Sequence, residues 1–513
     1  MDQPCDVVND MDRNNDTNSR EVIGYEEPDE KLHWFNDVDV LRRIYRNDPN
    51  IRGLILSFDD IGNDSEEICF DDHENSNDSN FAERVGRAIG NNTHLRKLRI
   101  HGSDTNGLHS FFLGLANNRS IEYLSSETRD EIFQYLTPFI TKNVNLCCIE
   151  TSRKGSVKGI PSLISALMEC NPNRLQRIEL SCLKMKDELA ADLINSLNEM
   201  SGLYNLFELI LWGNRISNKG CVALSELLGN KECRLQNLNL NLNDIDDKCL
   251  ISLARALLKN STIKTLSFGG LKCVTPDGWC SFFSVYLSDS ECSLQAIDLG
   301  YNYFGVKGFD SLGKSIAVNG CLKLKCLVLS NTDCCFESSS WNGLSAALNS
   351  SVEMLDLSES YNIDDDGAVA IFSASVKSRS LRSLNLKRTD IQSSGWVKSF
   401  QVLFDSELTL EELILDENDI DDIGAALLFE VLGSHKSLIA LNMQMSRSIT
   451  SAGWVACFRL LLHSGFALKK LCLDWNSIDD EGAAILVELL ASNKTMNVLT
   501  LGANSHISID GWY

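Results

Sequence analysis

The chain is 513 residues long and 43% hydrophobic, with 71 acidic against 47 basic side chains and a formal net charge of −24. That balance disfavours nucleic acid or an anionic membrane surface as the main partner, and no stretch approaches the ~20 uninterrupted apolar residues of a membrane span. The N-terminal sequence MDQPCDVVNDMDRNNDTNSR has no basic start followed by an apolar run, so it does not read as a secretory signal. A cytoplasmic protein is expected, with the nucleus also open, and the 18 cysteines then read as reduced thiols. They form no C-x-x-C pair of the zinc-binding kind. Cys221 and Cys457 fall on apolar helix positions, where free cysteine acts as a small hydrophobe.

Residues 1–31 hold ten acidic and three basic side chains with little apolar periodicity, the composition of a disordered segment. LHWFNDVDVLRRIYRNDPN then predicts a capping helix over 32–50, with Phe35, Val38, Leu41 and Ile44 on one side and an end before Pro49. A repeat array follows over 51–513. It is interrupted early by residues 59–80, which contain nine acidic residues and no Lys or Arg. Like-charged runs are usually solvated, so 59–80 reads as a surface insertion in preference to a docking loop or a cation site using His73. Its spacing fits no calcium loop, which needs a glycine at the sixth position and a closing glutamate.

LEELILDENDIDDIGAALLFEVLGSHKS, residues 410–437, displays the repeat unit. Leu410, Leu413 and Leu415 have the L-x-x-L-x-L spacing of a short strand, Asn418 follows, and Leu427, Leu428, Val431 and Leu432 recur at helical spacing. Equivalent starts recur from Ile51 to Met496, 16 in all, and the eleven steps from Leu175 onward are 28 to 31 residues long. A second periodicity is superposed. One repeat type opens its helix with Gly-Ala (Gly424, Gly482), and the other with Gly-Trp and a phenylalanine one turn on (Trp279 with Phe283, Trp396 with Phe400, Trp454 with Phe458). From Trp396 to Trp454 to Trp512 the step is 58, twice the repeat, while Trp341 holds its place without the flanking glycine and phenylalanine. Small and large helix starts therefore alternate, which allows close interdigitation. Helix N-caps are expected at Ser217, Asp246, Thr275, Asp364, Asp421, Thr450, Asp479 and Ser508, whereas Gln392 and Gly305 depart from the rule.

The period, the alternation and the asparagine after the strand (Asn214, Asn243, Asn302, Asn418, Asn476) resemble ribonuclease-inhibitor-type leucine-rich-repeat proteins over about residues 51–513. The resemblance implies an α/β solenoid (horseshoe) with a parallel sheet on its concave face, helices on its convex face, and protein binding as its role. It also implies a rival, since activators of the Ran GTPase share this repeat type and carry an acidic segment. Theirs follows the repeats, whereas here it precedes them. The sensor half of an immune-type receptor is a third option, though without a nucleotide-binding domain alongside.

Gly308 to Ser315, GFDSLGKS, matches G-x-x-x-x-G-K-[ST], but Gly308 is in register with the helix-start glycines and Phe309, Leu312 and Ile316 have core spacing, so a helix is expected, not a phosphate loop. Neither H-E-x-x-H nor G-x-S-x-G occurs. No catalytic residue, metal or cofactor is assigned. Function is expected on the concave face, at Glu208, Trp212, Asp298, Tyr301, Tyr303, Asp356, Glu412, Asp416, Asp474 and Trp475, where aromatics beside carboxylates have the composition of a binding hot spot. The reading is a non-enzymatic scaffold or adaptor for a basic or mixed-charge protein. The last repeat stops at Gly511, Trp512 and Tyr513, at a helix start, so a partner or a further segment is expected to cover that end.

Overall fold

The computed structural model describes residues 32–34, 38–57, 81–102, 109–128, 132–151, 157–170, 174–200, 203–319, 322–332, 348, 351–404, 408–464 and 466–508. Contacts gather them into two compact units, one of residues up to 245 with 255–267, the other of 246–254 with 268 onward. Each of the 16 strand starts is followed two residues later by a strand, from Gly53–Ser57 to Val498–Thr500. In the first unit these strands run parallel and in sequence order as far as Thr265–Ser267. In the second they run parallel and in order from Ala296–Asp298 to Val498–Thr500. A helix precedes nearly every described strand, as βαβ geometry requires of parallel neighbours. The architecture is an α/β leucine-rich-repeat solenoid.

Most strands are three residues long because only the central residue must reach the core. In Glu208–Ile210, Asn237–Asn239 and Glu412–Ile414 the middle leucine is buried and its two neighbours are half-buried. The flanking leucines, such as Leu410 and Leu415, are buried as well. At about 25 cal/mol per Å² each buried leucine contributes roughly 2 kcal/mol before entropy is subtracted, and the ladder repeats that gain at every step.

The N-terminal expectation needs correction. Leu32–Trp34 is a strand, not the start of a helix, and pairs in parallel with Gly53–Ile55. The helix begins only at Val38 and ends at Tyr45, with Val40 and Ile44 buried; Phe35 lies outside the described residues. The physical reason is edge satisfaction. The strand Gly53–Ser57 would otherwise expose a row of backbone donors and acceptors, and a three-residue strand pairs them where a helix cannot. Residues 1–31, 59–80, Trp341 and Gly511–Tyr513, on which other expectations rest, also lie outside the described residues.

The asparagine after the strand is an internal bracket. Asn418 donates from Nδ2 to the carbonyls of Leu386 (2.7 Å) and Leu415 (3.0 Å), and its Oδ1 accepts from the Thr389 amide (2.9 Å). Asn214, Asn243, Asn302 and Asn476 do the same in their repeats. No shorter side chain spans two turns of backbone while satisfying both carbonyl and amide groups away from water.

The I-D-D runs divide by position. The first aspartate caps its own helix, as Asp421 Oδ1 does for Gly424 N (2.9 Å), and Asp364, Asp479 and Asp246 act alike. Thr275 and Thr450 also cap as expected. The second aspartate reaches forward one repeat. Asp422 accepts from Thr450 N and Thr450 Oγ1 (both 2.7 Å), and Asp247 binds Thr275 in the same way. Ser217 makes no side-chain cap; Asp187 of the preceding helix takes the amides of Ser217, Lys219 and Gly220 instead, at 2.8 Å each. At Gln392 likewise the amide goes to Asp365 (3.1 Å). This staple explains the glycine of the Gly-Trp repeats. A Cβ on Gly453 or Gly278 would overlap the carboxylate of Asp422 or Asp247, lying 2.5 Å from its Cγ.

The tryptophan that follows is wholly buried and stacks on the phenylalanine one turn on, with ring centroids 5.6 Å apart for Trp396 and Phe400 and 5.7 Å for Trp454 and Phe458. The edge of Phe429, from the preceding Gly-Ala repeat, meets the rings of both Trp454 and Phe458. These aromatics are core, not a ligand box.

Candidate protein-binding face

The strands end in an abrupt turn whose geometry is repeated in every described repeat of the second unit. Tyr301, Asn331, Glu359, Arg388, Glu417, Met445, Trp475 and Ala503 stand at the same place and all have φ between 47° and 61°. Non-glycine residues rarely adopt this left-handed region, and doing so costs about 1–2 kcal/mol each. The conformation is held by a backbone ladder in which each amide donates to the carbonyl one repeat on, from Tyr301 N to Ser330 O (2.7 Å) through to Trp475 N to Gly502 O (2.8 Å). Its effect is to turn these eight side chains out along the strand-exit rim in a single file, one per repeat.

Tyr301 Oη donates to Glu359 Oε2 (2.8 Å) across two repeats, and burial together with that carboxylate pushes its hydroxyl pKa up. The Arg388 guanidinium lies 5.8 Å from the centre of the Tyr361 ring, and Lys387 pairs with Glu417 at 3.1 Å. Tyr303, Tyr361 and Trp475 are 54%, 41% and 57% exposed, high values for large aromatic rings.

The carboxylates expected to face a partner are largely used within the protein. Asp356 is buried, accepting from Ser358 N (2.8 Å) and Asn385 Nδ2 (3.0 Å), and burial raises its pKa. Asp416 is also buried and accepts from Gln444 N (2.7 Å); burial pushes it up to about 6 against the pull of that amide, Lys387 and Lys470. Asp298 takes the Gly300 amide (2.9 Å), and Asp474 takes the Gly502 amide (2.5 Å) and the Thr500 hydroxyl. Glu412 is half-buried and accepts from Ser383 Oγ (2.8 Å). Short strands leave the amides just beyond them in need of acceptors, and the aspartates supply them.

Glu208 and Trp212 belong to the first unit, apart from the other eight. Glu208 is held by Arg177 (2.5 Å), which also binds Glu179 (2.6 Å), and Trp212 is half-exposed. Sequence reasoning missed Glu359, Tyr361, Arg388 and Glu417. The signal was available: three of them directly precede or follow the residue aligned with the repeat asparagine, and the fourth, Glu417, immediately precedes Asn418 itself.

Gly308 to Ser315 lies inside the helix Gly305–Val318, with Gly308 and Gly313 buried and Lys314 paired to Asp310 (2.9 Å). Its amides are spent in the helix and form no phosphate cradle. Among the described residues no group of three or more His, Cys, Asp or Glu is placed to hold a metal ion, and no helix is long and apolar enough to cross a membrane. Cys221 and Cys457 are buried in the core and form no disulfide.

A family model described as "Leucine Rich repeat" matches residues 408–429. The chain is 25% identical over 295 residues to the NACHT, LRR and PYD domains-containing protein 3 of Bos taurus, covering 57% of this chain and 25% of that protein. It is 29% identical over 284 residues to the NACHT, LRR and PYD domains-containing protein 4C of Mus musculus, covering 54% and 27%. The chain thus spans about a quarter of the length of the curated relatives it matches. Among solved structures, it is similar to a chain of the Rad7 and Elc1 complex in yeast (TM-score 0.40, 12% identity, 100% of this chain and 96% of that one). It is also similar to an internalin from Listeria monocytogenes (TM-score 0.36, 15% identity, 69% and 82%). With a strand at every expected step, the asparagine bracket in each regular half of the array, and a repeat model matching the very unit from which the pattern was read, the chain is a leucine-rich-repeat protein.

Proposed function

We propose that the protein is a non-enzymatic interaction scaffold that engages a basic or mixed-charge protein through the sheet face and strand-exit rim of its second unit. The observation that carries the reading is the file of left-handed residues. An array that places bulky side chains where glycine would be cheaper is maintaining them for contact, and Trp475 is the most exposed aromatic of the file. Glu359, Asp390 and Asp419 add negative charge along the same rim, against Arg388 and Arg447, while Glu417 is paired with Lys387. The apolar anchors are Tyr303, Tyr361 and Trp475. Asp356 and Asp416 support the rim from within and do not themselves contact a partner.

The test is affinity capture with the full chain against a Tyr303→Ser, Tyr361→Ser, Trp475→Gly variant, with Val487→Ser, on an exposed position of the helix Asp480–Ser492 in the same unit, as the control. Proteins captured by the wild type and the control but lost from the triple variant support the reading. Retention of every partner by the triple variant sinks it. Control of a small GTPase rests on resemblance alone, and a GTP-hydrolysis assay addresses it separately.

A further inference from the structure

The strand-entry edge of the first unit has the opposite electrical character to the rest of the chain. The segments leading from each helix into the next strand, 46–52, 92–96, 116–122, 142–147, 174–176, 203–207, 230–236 and 258–264, carry ten basic and three acidic side chains in a protein of net charge −24. Two of the three acids are engaged locally, Asp48 by Arg43 (2.7 Å) and Glu122 by Arg96 (3.4 Å). Most of the cations are not paired with a carboxylate among the described residues. Arg119, Arg174 and Arg234 are exposed and, among the described residues, bind neutral oxygens, at Ala116 O (2.8 Å), Asn145 Oδ1 (2.8 Å) and Lys231 O (2.9 Å). Lys142, Lys231, Lys259 and Lys264 are exposed and make no ion pair among the described residues. The corresponding edge of the second unit differs, since Lys325 is paired with Glu353 (2.9 Å) and Arg382 with Glu411 (3.2 Å).

The entry residues are stacked by the backbone. Arg96 N donates to Arg52 O, Glu122 N to Arg96 O, and so on to Lys264 N on Gln236 O, at 2.7–2.9 Å. The segments that carry the cations therefore succeed one another along one edge, with Arg52, Arg96 and Lys264 in the ladder itself. That edge begins beside a particular strand: Leu32 pairs with Gly53, in parallel, so Leu32, into which residues 1–31 lead, stands at the strand-entry side. The arriving segment, residues 1–31, holds ten acidic and three basic side chains.

We propose that the acidic segment 1–31 docks in cis along the basic strand-entry edge of the first unit. The charges match in size as well as sign, seven net negative against seven net positive. The distances match too. Seven strand spacings of ~4.8 Å make the edge about 34 Å long, and a flexible chain of 30 residues has a root-mean-square span of roughly 30 Å. Tethering then holds the segment at a millimolar effective concentration over the whole edge, so an unlinked polyanion must compete with it. Attraction of this kind between exposed charges is screened by salt, over about 10 Å at 0.1 M and less above.

Carbodiimide cross-linking of the full chain, read by mass spectrometry, tests the proposal. At low ionic strength, carboxylates between Asp2 and Glu30 are expected to link to Lys142, Lys231, Lys259 and Lys264. These links should fall at least fivefold in 0.5 M salt and in the variant Arg119→Glu, Arg174→Glu, Arg234→Glu, which leaves every linking lysine in place. The pairs Lys219–Glu188 and Lys325–Glu353 report that the reagent works and, in the variant, that both units remain folded. Links from the segment to Lys219 or Lys314 as frequent as those to the edge would overturn the proposal. So would links that survive charge reversal, links formed only between isotopically distinct copies, or none from the segment at all while the control pairs react.

Discussion

Gly453→Ala is the sharpest test of how the two repeat types fit together. The new methyl group would overlap the Asp422 carboxylate and lie 3.1 Å from Ile449 Cγ2. To relieve the overlap Asp422 must swing away, which breaks its bonds to Thr450 N and Thr450 Oγ1 (2.7 Å each). Losing charge-assisted bonds at a helix start costs about 1–2 kcal/mol, and crowding adds about 1 kcal/mol. Wild-type background should therefore show a loss of about 2–3 kcal/mol. In an Asp422→Ala background, already weaker by about 1–2 kcal/mol, the carboxylate is gone and alanine is a better helix former than glycine by ~1 kcal/mol. There the same substitution should be neutral to within about 1 kcal/mol. Urea unfolding followed by far-ultraviolet circular dichroism gives all four corners of this double-mutant cycle. An equal cost in both backgrounds would refute the idea that the glycine exists to admit the aspartate.

Three further outcomes are expected. Asn418→Leu strips partners from Thr389 N and from the Leu386 and Leu415 carbonyls, so it should cost about 3 kcal/mol or more in the same unfolding assay, and a loss below about 1 kcal/mol would contradict the bracket. Asp416, with a folded pKa of about 6 against an ordinary value of 3.8, binds its proton more tightly folded than unfolded. Its ionisation therefore weakens the fold as pH rises from about 4 to 6; Asp416→Asn should flatten that part of the stability–pH curve, and an unchanged slope would reject the assignment. Trp475→Gly should leave stability equal or raise it by up to about 1 kcal/mol, because glycine meets no penalty at φ 61°, while abolishing capture of a rim-bound partner; a clear destabilisation would show that the indole supports the fold instead.

The strands were legible because each repeat writes the same apolar spacing, and sixteen copies fix the register where one would be ambiguous. Leu32–Trp34 was not, since three residues carry too little pattern to distinguish a strand from a helix start, and its pairing with Gly53–Ile55 is a tertiary fact. The same limit applied to the acids. Alternation pointed Asp356 and Asp416 out onto the concave face, but it could not show that a strand three residues long leaves amides at Ser358 and Gln444 to be satisfied, which draws both carboxylates into the protein. The left-handed file was hidden for another reason. Its residues, from Tyr301 to Ala503, share a conformation and no chemical type, so only their place directly before the repeat asparagine position marks them, and composition does not.

Once the bound acids are set aside, the electrical layout of the repeats becomes simpler than the total charge suggests. Asp421 and Asp479 cap helices, Asp422 and Asp480 staple neighbouring repeats, and Asp416 and Asp474 hold strand-exit amides. Such carboxylates act on the backbone beside them, and their reach into solvent is shortened by the dipoles they neutralise. The charges left to act at a distance include those of the loops, acidic at Asp390 on the exit rim of the second unit and basic at Arg119, Arg174 and Arg234 on the entry edge of the first. A single net charge of −24 therefore describes neither surface. Under the two proposals a basic partner is drawn to one and the acidic segment to the other, so raising the salt concentration should weaken both contacts.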